Sequence, residues 1–231
     1  MKAASLAFDV GDEVVRVMLL KSLAPLSVIA RSPTKGMRAR SLPLGHVVRG
    51  PTRNDGEGAK LLSNMTRTTS FPTSKAKDAA FMHMALREAF RGMRSGQGGP
   101  FGACIVRDGL IVAVAHNRVL VTGNPTQHAE VVAIGKAAKH LGTHVLKGCT
   151  IYSTTEPCPM CFSAIHWAQI DRIVFGTGIA DVKRLGFNEL PISNSTLKRL
   201  GRSSVILEQV SQRECTDLLR SWASLATRKT Y

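Results

Sequence analysis

The sequence predicts a layered α/β domain over residues 76–231, because strand and helix patterns alternate along this part of the chain. Helical spacing of apolar residues marks the segment that begins at residue 76, and runs rich in β-branched residues mark several short strands. The dipeptide Asp108-Gly109 is a strong signal for a two-residue hairpin turn between the first two strands. We therefore expect a sheet with helices packed against it.

Each element of this domain has its own signal in the sequence. Apolar residues at 81, 82, 85, 86, 89 and 93 indicate the first helix, and the hairpin occupies 98–117. A helix from 129 places four apolar residues on one stripe: Val131, Ile134, Ala138 and Leu141. We then expect strands over 149–154, 172–176 and 203–210, and helices over 159–170, 179–186 and 211–229.

Residues 1–75 show no sustained period and are rich in Arg, Ser, Thr and Pro. This basic N-terminal extension has three interpretations: a disordered segment, an organelle transit peptide, or a start codon assigned too early, with Met65 as one internal alternative. Transit peptides are poor in acidic residues, so Asp9, Asp12 and Glu13 argue against targeting. We expect disorder or a misassigned start.

The charge of the chain suits a partner that bears phosphates, because 31 Lys and Arg face 16 Asp and Glu, a net charge of +15. The excess is spread evenly, with 12 basic and 5 acidic residues in 1–75 and 19 and 11 in 76–231, which weakens the case for a nucleic-acid site. The most apolar stretch, 14–30, is interrupted by Arg16, Lys21 and Pro25 and is shorter than the roughly 20 residues of a membrane span. No membrane association is expected.

Five cysteines are present, an odd number in a chain long enough to fold without disulfides. Reduced thiols and a cytoplasmic location are therefore expected. Three of the cysteines lie in apolar contexts typical of buried small side chains: Cys104, Cys149 and Cys215.

The other two cysteines form a C-x-x-C motif, Cys158 and Cys161, about thirty residues after His128. A lone C-x-x-C is shared by redox and structural zinc sites, but a histidine at a helix start adds a third ligand. Zinc prefers tetrahedral N and S ligands, and three protein ligands leave one position for water. A closed structural site would need a fourth ligand, and the spare candidates Cys149 and His144 lack motif spacing.

Glu130 follows His128 by two residues at the same predicted helix start. Alone, an acid there is a helix-dipole stabiliser. Beside a His/Cys/Cys set, its carboxylate has a second role, because it can accept a proton from a zinc-bound water and deliver it to a substrate. We predict that Glu130 is catalytic.

His-Ala-Glu at 128–130 followed by Pro-Cys-Pro-Met-Cys at 157–161 resembles the H-x-E…P-C-x-x-C signature of zinc-dependent nucleobase deaminases. The resemblance to this cytidine deaminase-like superfamily covers roughly residues 77–231. It implies a three-layer α/β/α fold with a mixed five-stranded sheet. It also implies one zinc per chain, with a water as fourth ligand, and hydrolytic replacement of an amino group by a carbonyl.

Two branches of the superfamily resemble this chain: guanine or nucleoside deaminases, and tRNA adenosine deaminases that make inosine at the wobble position. The segments "GGPFGACIVRDG", "SAIHWAQ", "LGFNEL" and the C-terminal "WASLATRKTY" resemble the guanine branch. This resemblance implies a small purine as partner, with guanine converted to xanthine plus ammonia. Adenosine deamination in tRNA is the alternative, and a zinc-stabilised binding module without turnover is the non-enzyme alternative.

The guanine-branch resemblance also implies residue roles. Glu189 would be a second proton carrier, and the substrate would be contacted by Asn117, Phe101, Ala129, Trp167 and Tyr231. The residues themselves allow plainer roles: aromatic side chains are by default core residues, an asparagine can end a hairpin, and a terminal tyrosine can fray.

Two departures from the guanine branch leave the base open. Asn188-Glu189 replaces an Asp-Asp pair, and the segment "PISNSTLKRLGRS" is unlike the sequence expected there. The superfamily resemblance further implies a homodimer.

Overall fold

The computed structural model describes residues 74–231, which form a mixed five-stranded sheet in the order β2-β1-β3-β4-β5 with helices on both faces. The strands are β1 (Gly102–Arg107), β2 (Leu110–His116), β3 (Cys149–Thr155), β4 (Arg172–Thr177) and β5 (Ile206–Gln209). The helices are α1 (Ser74–Arg94), α2 (Val119–Thr122), α3 (Ala129–Leu141), α4 (Pro159–Trp167), α5 (Ile179–Lys183), α6 (Asn194–Leu200) and α7 (Gln212–Ala223).

Strands β1 and β2 form the predicted hairpin, and its turn residues Asp108 and Gly109 both have positive φ, 52° and 73°. Positive φ at both central residues is the requirement of the tight turn that matches strand twist. Strand β1 also pairs antiparallel with β3, whereas β3, β4 and β5 are parallel. Helix α4 makes the crossover from β3 to β4, so the carboxyl ends of these two strands meet at one edge of the sheet.

The sheet separates two apolar cores, as alternating side chains of a strand require. Cys104 and Val106 of β1 face the core built with α1 and α7, whereas Ala103 and Ile105 face the core built with α3 and α4. The predicted α/β/α layering is confirmed. The five cysteines are free, and the three predicted to be buried are buried: Cys104, Cys149 and Cys215.

Several element boundaries differ from the sequence prediction. Helices α4, α5 and α7 end at Trp167, Lys183 and Ala223, three to six residues early. After α5 and α7 the chain runs to a cavity, where Phe187 and Tyr231 are lining residues. Helices α2 and α6 were not expected. The predictions for the N-terminal extension fall almost wholly outside the described residues, and the predicted boundary at residue 76 lies inside α1. Among residues 74–231, no helix is both long and apolar enough to cross a membrane.

A buried ion pair ties the start of α1 to the amino end of the sheet. Both terminal nitrogens of the Arg172 guanidinium donate to the Asp78 carboxylate at 2.8 Å. The Tyr152 hydroxyl donates to the same carboxylate at 2.6 Å. Glu208 accepts a further hydrogen bond from Arg172. Burial alone raises the pKa of Asp78, but the hydrogen bonds from Arg172 and Tyr152 outweigh it and hold that pKa below its usual value.

We expect Asp78→Asn to lower the free energy of unfolding by about 3 kcal/mol, because it leaves Arg172 without its buried counter-charge. The lowered pKa means that the carboxylate stabilises the fold above about pH 4, the value of a free carboxyl, and that this stabilisation is lost as the pH falls through the lower folded value. Urea unfolding at several pH values measures this. The difference in the free energy of unfolding between Asp78→Asn and wild type should be constant above about pH 5 and become smaller at lower pH.

The matched control is Asp217→Asn, which removes an exposed i,i+3 pair with Arg220 and should change stability by less than about 1 kcal/mol. An Asp78→Asn difference that persists undiminished at the acid end would show that the ion pair is not its cause.

Candidate zinc centre and substrate cavity

Two helix N-termini converge at the edge where the parallel strands β3 and β4 end. His128 is the N-cap residue of α3, and Cys158 is the N-cap residue of α4, which continues with Pro159 in its first turn. Proline is favoured at this position because its missing N–H has no partner in a first turn. Cys161 lies one turn into α4 and is fully buried. The two positive helix ends favour deprotonated ligands at this point.

The three predicted metal ligands are brought together in a geometry that fits zinc. The Nδ1 atom of His128 lies 3.6 Å from Sγ of Cys158 and 3.6 Å from Sγ of Cys161, and the three ligand atoms lie within 4.8 Å of one another. A tetrahedral zinc with Zn–N of about 2.0–2.1 Å and Zn–S of about 2.3 Å separates such atoms by about 3.6 Å. This is the one such His/Cys/Asp/Glu cluster found in residues 74–231.

The electrostatics of the cluster favour a thiolate. The neighbouring Cys161 side chain, and after it the His128 imidazole, lower the pKa of Cys158 to about 4, although burial opposes this. A thiolate is the form of cysteine that binds metal. Cys158 is therefore prepared for zinc by its position at the helix start and by its two neighbours.

Glu130 lies beside the cluster, with only 6% of its surface exposed. The Ser153 hydroxyl donates to its Oε1 atom at 2.8 Å, and its Oε2 atom accepts from the Cys161 thiol at 3.5 Å. Burial is the main cause of a raised pKa at Glu130. The carboxylate is thus held by one oxygen, while the other faces the metal ligands.

A cavity of about 170 Å³ opens at this cluster, and His128, Glu130 and Cys158 form part of its wall. Glu189, on the segment between α5 and α6, also lines it. Burial first, and the negative charge of Cys158 second, raise the pKa of Glu189 to about 7. The cavity therefore holds two carboxyl groups whose proton affinity exceeds that of a free glutamate.

Aromatic rings close the cavity on the side of the C-terminal segment. The Phe187 ring lies 5.0 Å from Phe101 and 5.4 Å from Tyr231, centre to centre, and Trp222 packs behind it at 4.8 Å. The Tyr231 hydroxyl accepts from the Gly99 main-chain N–H at 3.3 Å, and the Tyr231 main-chain oxygen accepts from the Asn188 main-chain N–H at 3.2 Å. The structure places Phe101 and Tyr231 in the lining of the cavity, and their contact with substrate stays a prediction.

Three predicted substrate contacts lie elsewhere. Ala129 is fully buried in the core beneath α3, outside the cavity wall. Asn117 is 1% exposed, with Oδ1 accepting from the Val119 amide at 3.0 Å and Nδ2 without a partner among the described residues. The main-chain N–H of Asn117 donates to the Phe101 carbonyl at 3.0 Å, so Asn117 lies directly behind the part of the cavity wall that Phe101 forms.

Trp167 does not fit its predicted place in the cavity wall or the core, because it is 81% exposed and lies outside the lining. The reason is its position on α4. Helix α4 presents Pro159 and Met160 to the cavity, and Trp167 lies about 10 Å further along the axis at 1.5 Å per residue.

Some residues that line the cavity were not predicted from the sequence. Phe187 and Asn188 line it from the "LGFNEL" segment, where only Glu189 was singled out. Glu156, directly before the metal motif, also lines it. Its place beside Pro157 and Cys158 was the available signal.

A zinc site with three protein ligands and a neighbouring free carboxylate is the arrangement of hydrolytic zinc deaminases. Residues 75–177 match the family model of the cytidine and deoxycytidylate deaminase zinc-binding region. The guanine deaminase of Bacillus subtilis (strain 168) is 38% identical over 151 residues, which cover 65% of this chain and 97% of that protein. The chain belongs to the cytidine deaminase-like family and is a zinc-dependent deaminase.

Other relatives divide between two substrates. A tRNA-specific adenosine deaminase of Bacillus subtilis (strain 168) is 32% identical over 146 residues, 63% of this chain and 88% of that one. A solved guanine deaminase from Nitrosomonas europaea has a TM-score of 0.59 at 25% identity, covering 78% of this chain and all of its own. A structure from work on tRNA:A34 deaminases has a TM-score of 0.53 at 28% identity, covering 61% and 99%. The family is shared, and the base differs.

Proposed function

We propose that this chain hydrolyses guanine to xanthine and ammonia. The observation that carries the proposal is the position of Tyr231 in the cavity wall, where its ring, its hydroxyl and its main-chain oxygen all have partners. The space left is about 170 Å³, below the roughly 300–1,000 Å³ of drug-sized ligand sites. A single flat base suits such a space better than a nucleotide within a folded RNA.

His128, Cys158 and Cys161 would hold one zinc per chain, with a water as the fourth ligand. Zinc in such a site supplies acidity to its bound water near neutral pH. Oε2 of Glu130, which Ser153 does not hold, would take the proton of the attacking water and return it to the leaving amino group. The oxygen of the water would bond to C2 of guanine and the C2–N bond to the amino group would break, so that this group, with the proton from Glu130, would leave as ammonia.

The remaining contacts would orient the base. Phe101 and Tyr231, which line the cavity, offer apolar faces to a flat base. Glu189 would be the second proton carrier, because a carboxyl with a pKa near 7 exchanges protons readily at neutral pH. We propose a homodimer on the family resemblance.

Adenosine in tRNA is the second candidate, and the tRNA-specific relatives support it. The net charge of +15 also suits an RNA partner. Half of the charge excess, however, lies outside the domain that carries the site.

The test is ammonia release by zinc-loaded protein from guanine, guanosine, adenine, adenosine, cytosine and cytidine, beside inosine formation in a tRNA anticodon stem-loop. We expect turnover of guanine and none of the RNA. Inosine formation without guanine turnover would establish the second candidate instead.

A further inference from the structure

The segment 184–193, between α5 and α6, carries Glu189, which lines the same cavity as the metal ligands His128 and Cys158. Its middle is held by Phe187, in the aromatic cluster, and by the Asn188 amide on Tyr231. These contacts lie on the C-terminal side of the cavity. They involve only the middle of the segment and do not hold its two ends.

The two helices that flank the segment, α5 and α6, are both bonded at their first residues to one side chain, Glu156. Its Oε1 atom accepts from the Asn194 amide at 2.7 Å, at the start of α6. Its Oε2 atom accepts from the Ile179 amide at 3.2 Å, at the start of α5. A carboxylate shared between two helix N-termini satisfies free N–H groups of both and is stabilised by both dipoles.

Asn194 closes the arrangement from the other side. Its side chain is fully buried, and Nδ2 donates at 2.6 Å to the carbonyl of Pro157, the residue directly before the Cys158 ligand. The start of α6 is therefore bonded to two consecutive residues of the turn that enters the metal helix. This asparagine belongs to the segment "PISNSTLKRLGRS", which is unlike the sequence expected in the guanine branch.

We propose that Glu156 and Asn194 are positioning residues that hold segment 184–193 in register with the metal helix and so keep Glu189 in the cavity wall that it shares with Glu130. The kinetic part of this inference rests on the proposed function. The structural part does not, because the hydrogen bonds exist irrespective of substrate.

Helix capping alone is the plainer explanation, and Ser193 separates the two. Ser193 is the N-cap of α6, and its Oγ atom accepts from the Thr196 amide at 3.3 Å. Ser193→Ala weakens α6 and leaves the bonds of Glu156 and Asn194 intact, so it is the matched control.

Two near-isosteric variants remove the bonds. Glu156→Gln has one acceptor oxygen for two amides, and Asn194→Asp has no donor for the Pro157 carbonyl. The readout is tryptic cleavage after Lys183 and Arg184, both exposed at the start of the segment, followed by mass spectrometry on zinc-loaded protein. We expect cleavage about tenfold faster in both variants, because lost hydrogen bonds populate the open segment. Ser193→Ala should change it less than about threefold.

The kinetic arm tests whether the effect passes through Glu189. We expect kcat for guanine to fall about tenfold in Glu156→Gln, with zinc content unchanged. In the Glu189→Gln background the same substitution should lower kcat less than about twofold, since coupled residues are not additive. Equal losses in both backgrounds would overturn the link to Glu189.

Unsubstituted protein supplies a readout that needs no variant to fold. The amides of Ile179 and Asn194 should be among the slowly exchanging hydrogens of 178–195, and rapid exchange of both would overturn the proposal. If no purine is deaminated, the proposed function fails, while cleavage and exchange still decide whether Glu156 and Asn194 hold the segment.

Discussion

Glu130→Gln is expected to lower kcat for ammonia release by about 10²–10⁴-fold, the usual contribution of a positioned proton carrier. Glutamine has the same shape, and its carbonyl oxygen can still accept from the Ser153 hydroxyl, so the side chain should stay in place. It cannot carry the proton between water and the leaving amine. Zinc content should not change, because the ligands are His128, Cys158 and Cys161.

Stability gives this prediction a second readout. Burial raises the pKa of Glu130, which means that its charged form is disfavoured in the fold. The neutral variant should therefore unfold at no lower temperature than wild type, although it is inactive. Glu214→Gln on α7, remote from the cavity wall, is the control and should keep full activity. An active Glu130→Gln enzyme would remove Glu130 from the mechanism.

Loss of a metal ligand is the second large effect. His128→Ala should abolish both turnover and zinc binding, because two cysteines from one helix remain. The metal also joins the start of α3 to the start of α4, so zinc binding contributes to folding. Zinc at about a thousand times its dissociation constant stabilises a native protein by about 4 kcal/mol. Thermal unfolding of wild type should respond to zinc and to a chelator, whereas the variant should respond to neither.

His144→Ala is the matched control. The sequence offers His144 as a further candidate zinc ligand without motif spacing, and the residue is exposed between α3 and β3. The variant should bind zinc like wild type. A His128→Ala protein that still binds zinc with unchanged affinity would show that the site uses other ligands.

The parts that the sequence predicted are those with local signals. Asp108-Gly109 specified its turn because few dipeptides accept positive φ at both positions. His128, Glu130, Cys158 and Cys161 were found together because their spacing reports one chemistry. The two-core layering followed from alternation along the strands.

The parts that the sequence did not predict depend on contacts between distant segments. Residues after Ala223 have helical composition, but the chain leaves α7 there and brings Tyr231 to the cavity. Helix α6 is short and polar, so the spacing of apolar residues gives no signal for it. Its first residue, Asn194, donates a hydrogen bond to Glu156, which is distant in the sequence. The exposure of Trp167 follows from where α4 ends, which tertiary structure decides.

The Asp78–Arg172 ion pair and the cavity lie at opposite ends of the parallel strands. Strand β4 has six residues, so about 17 Å separates its two ends at 3.3 Å per residue. Effects of substitutions further apart than about 10 Å usually add. Stabilising substitutions near the Asp78–Arg172 pair, at the amino ends of the parallel strands, could therefore offset cavity substitutions that each lower the stability of the fold. Such a stabilised protein could be redirected toward other bases and would still fold.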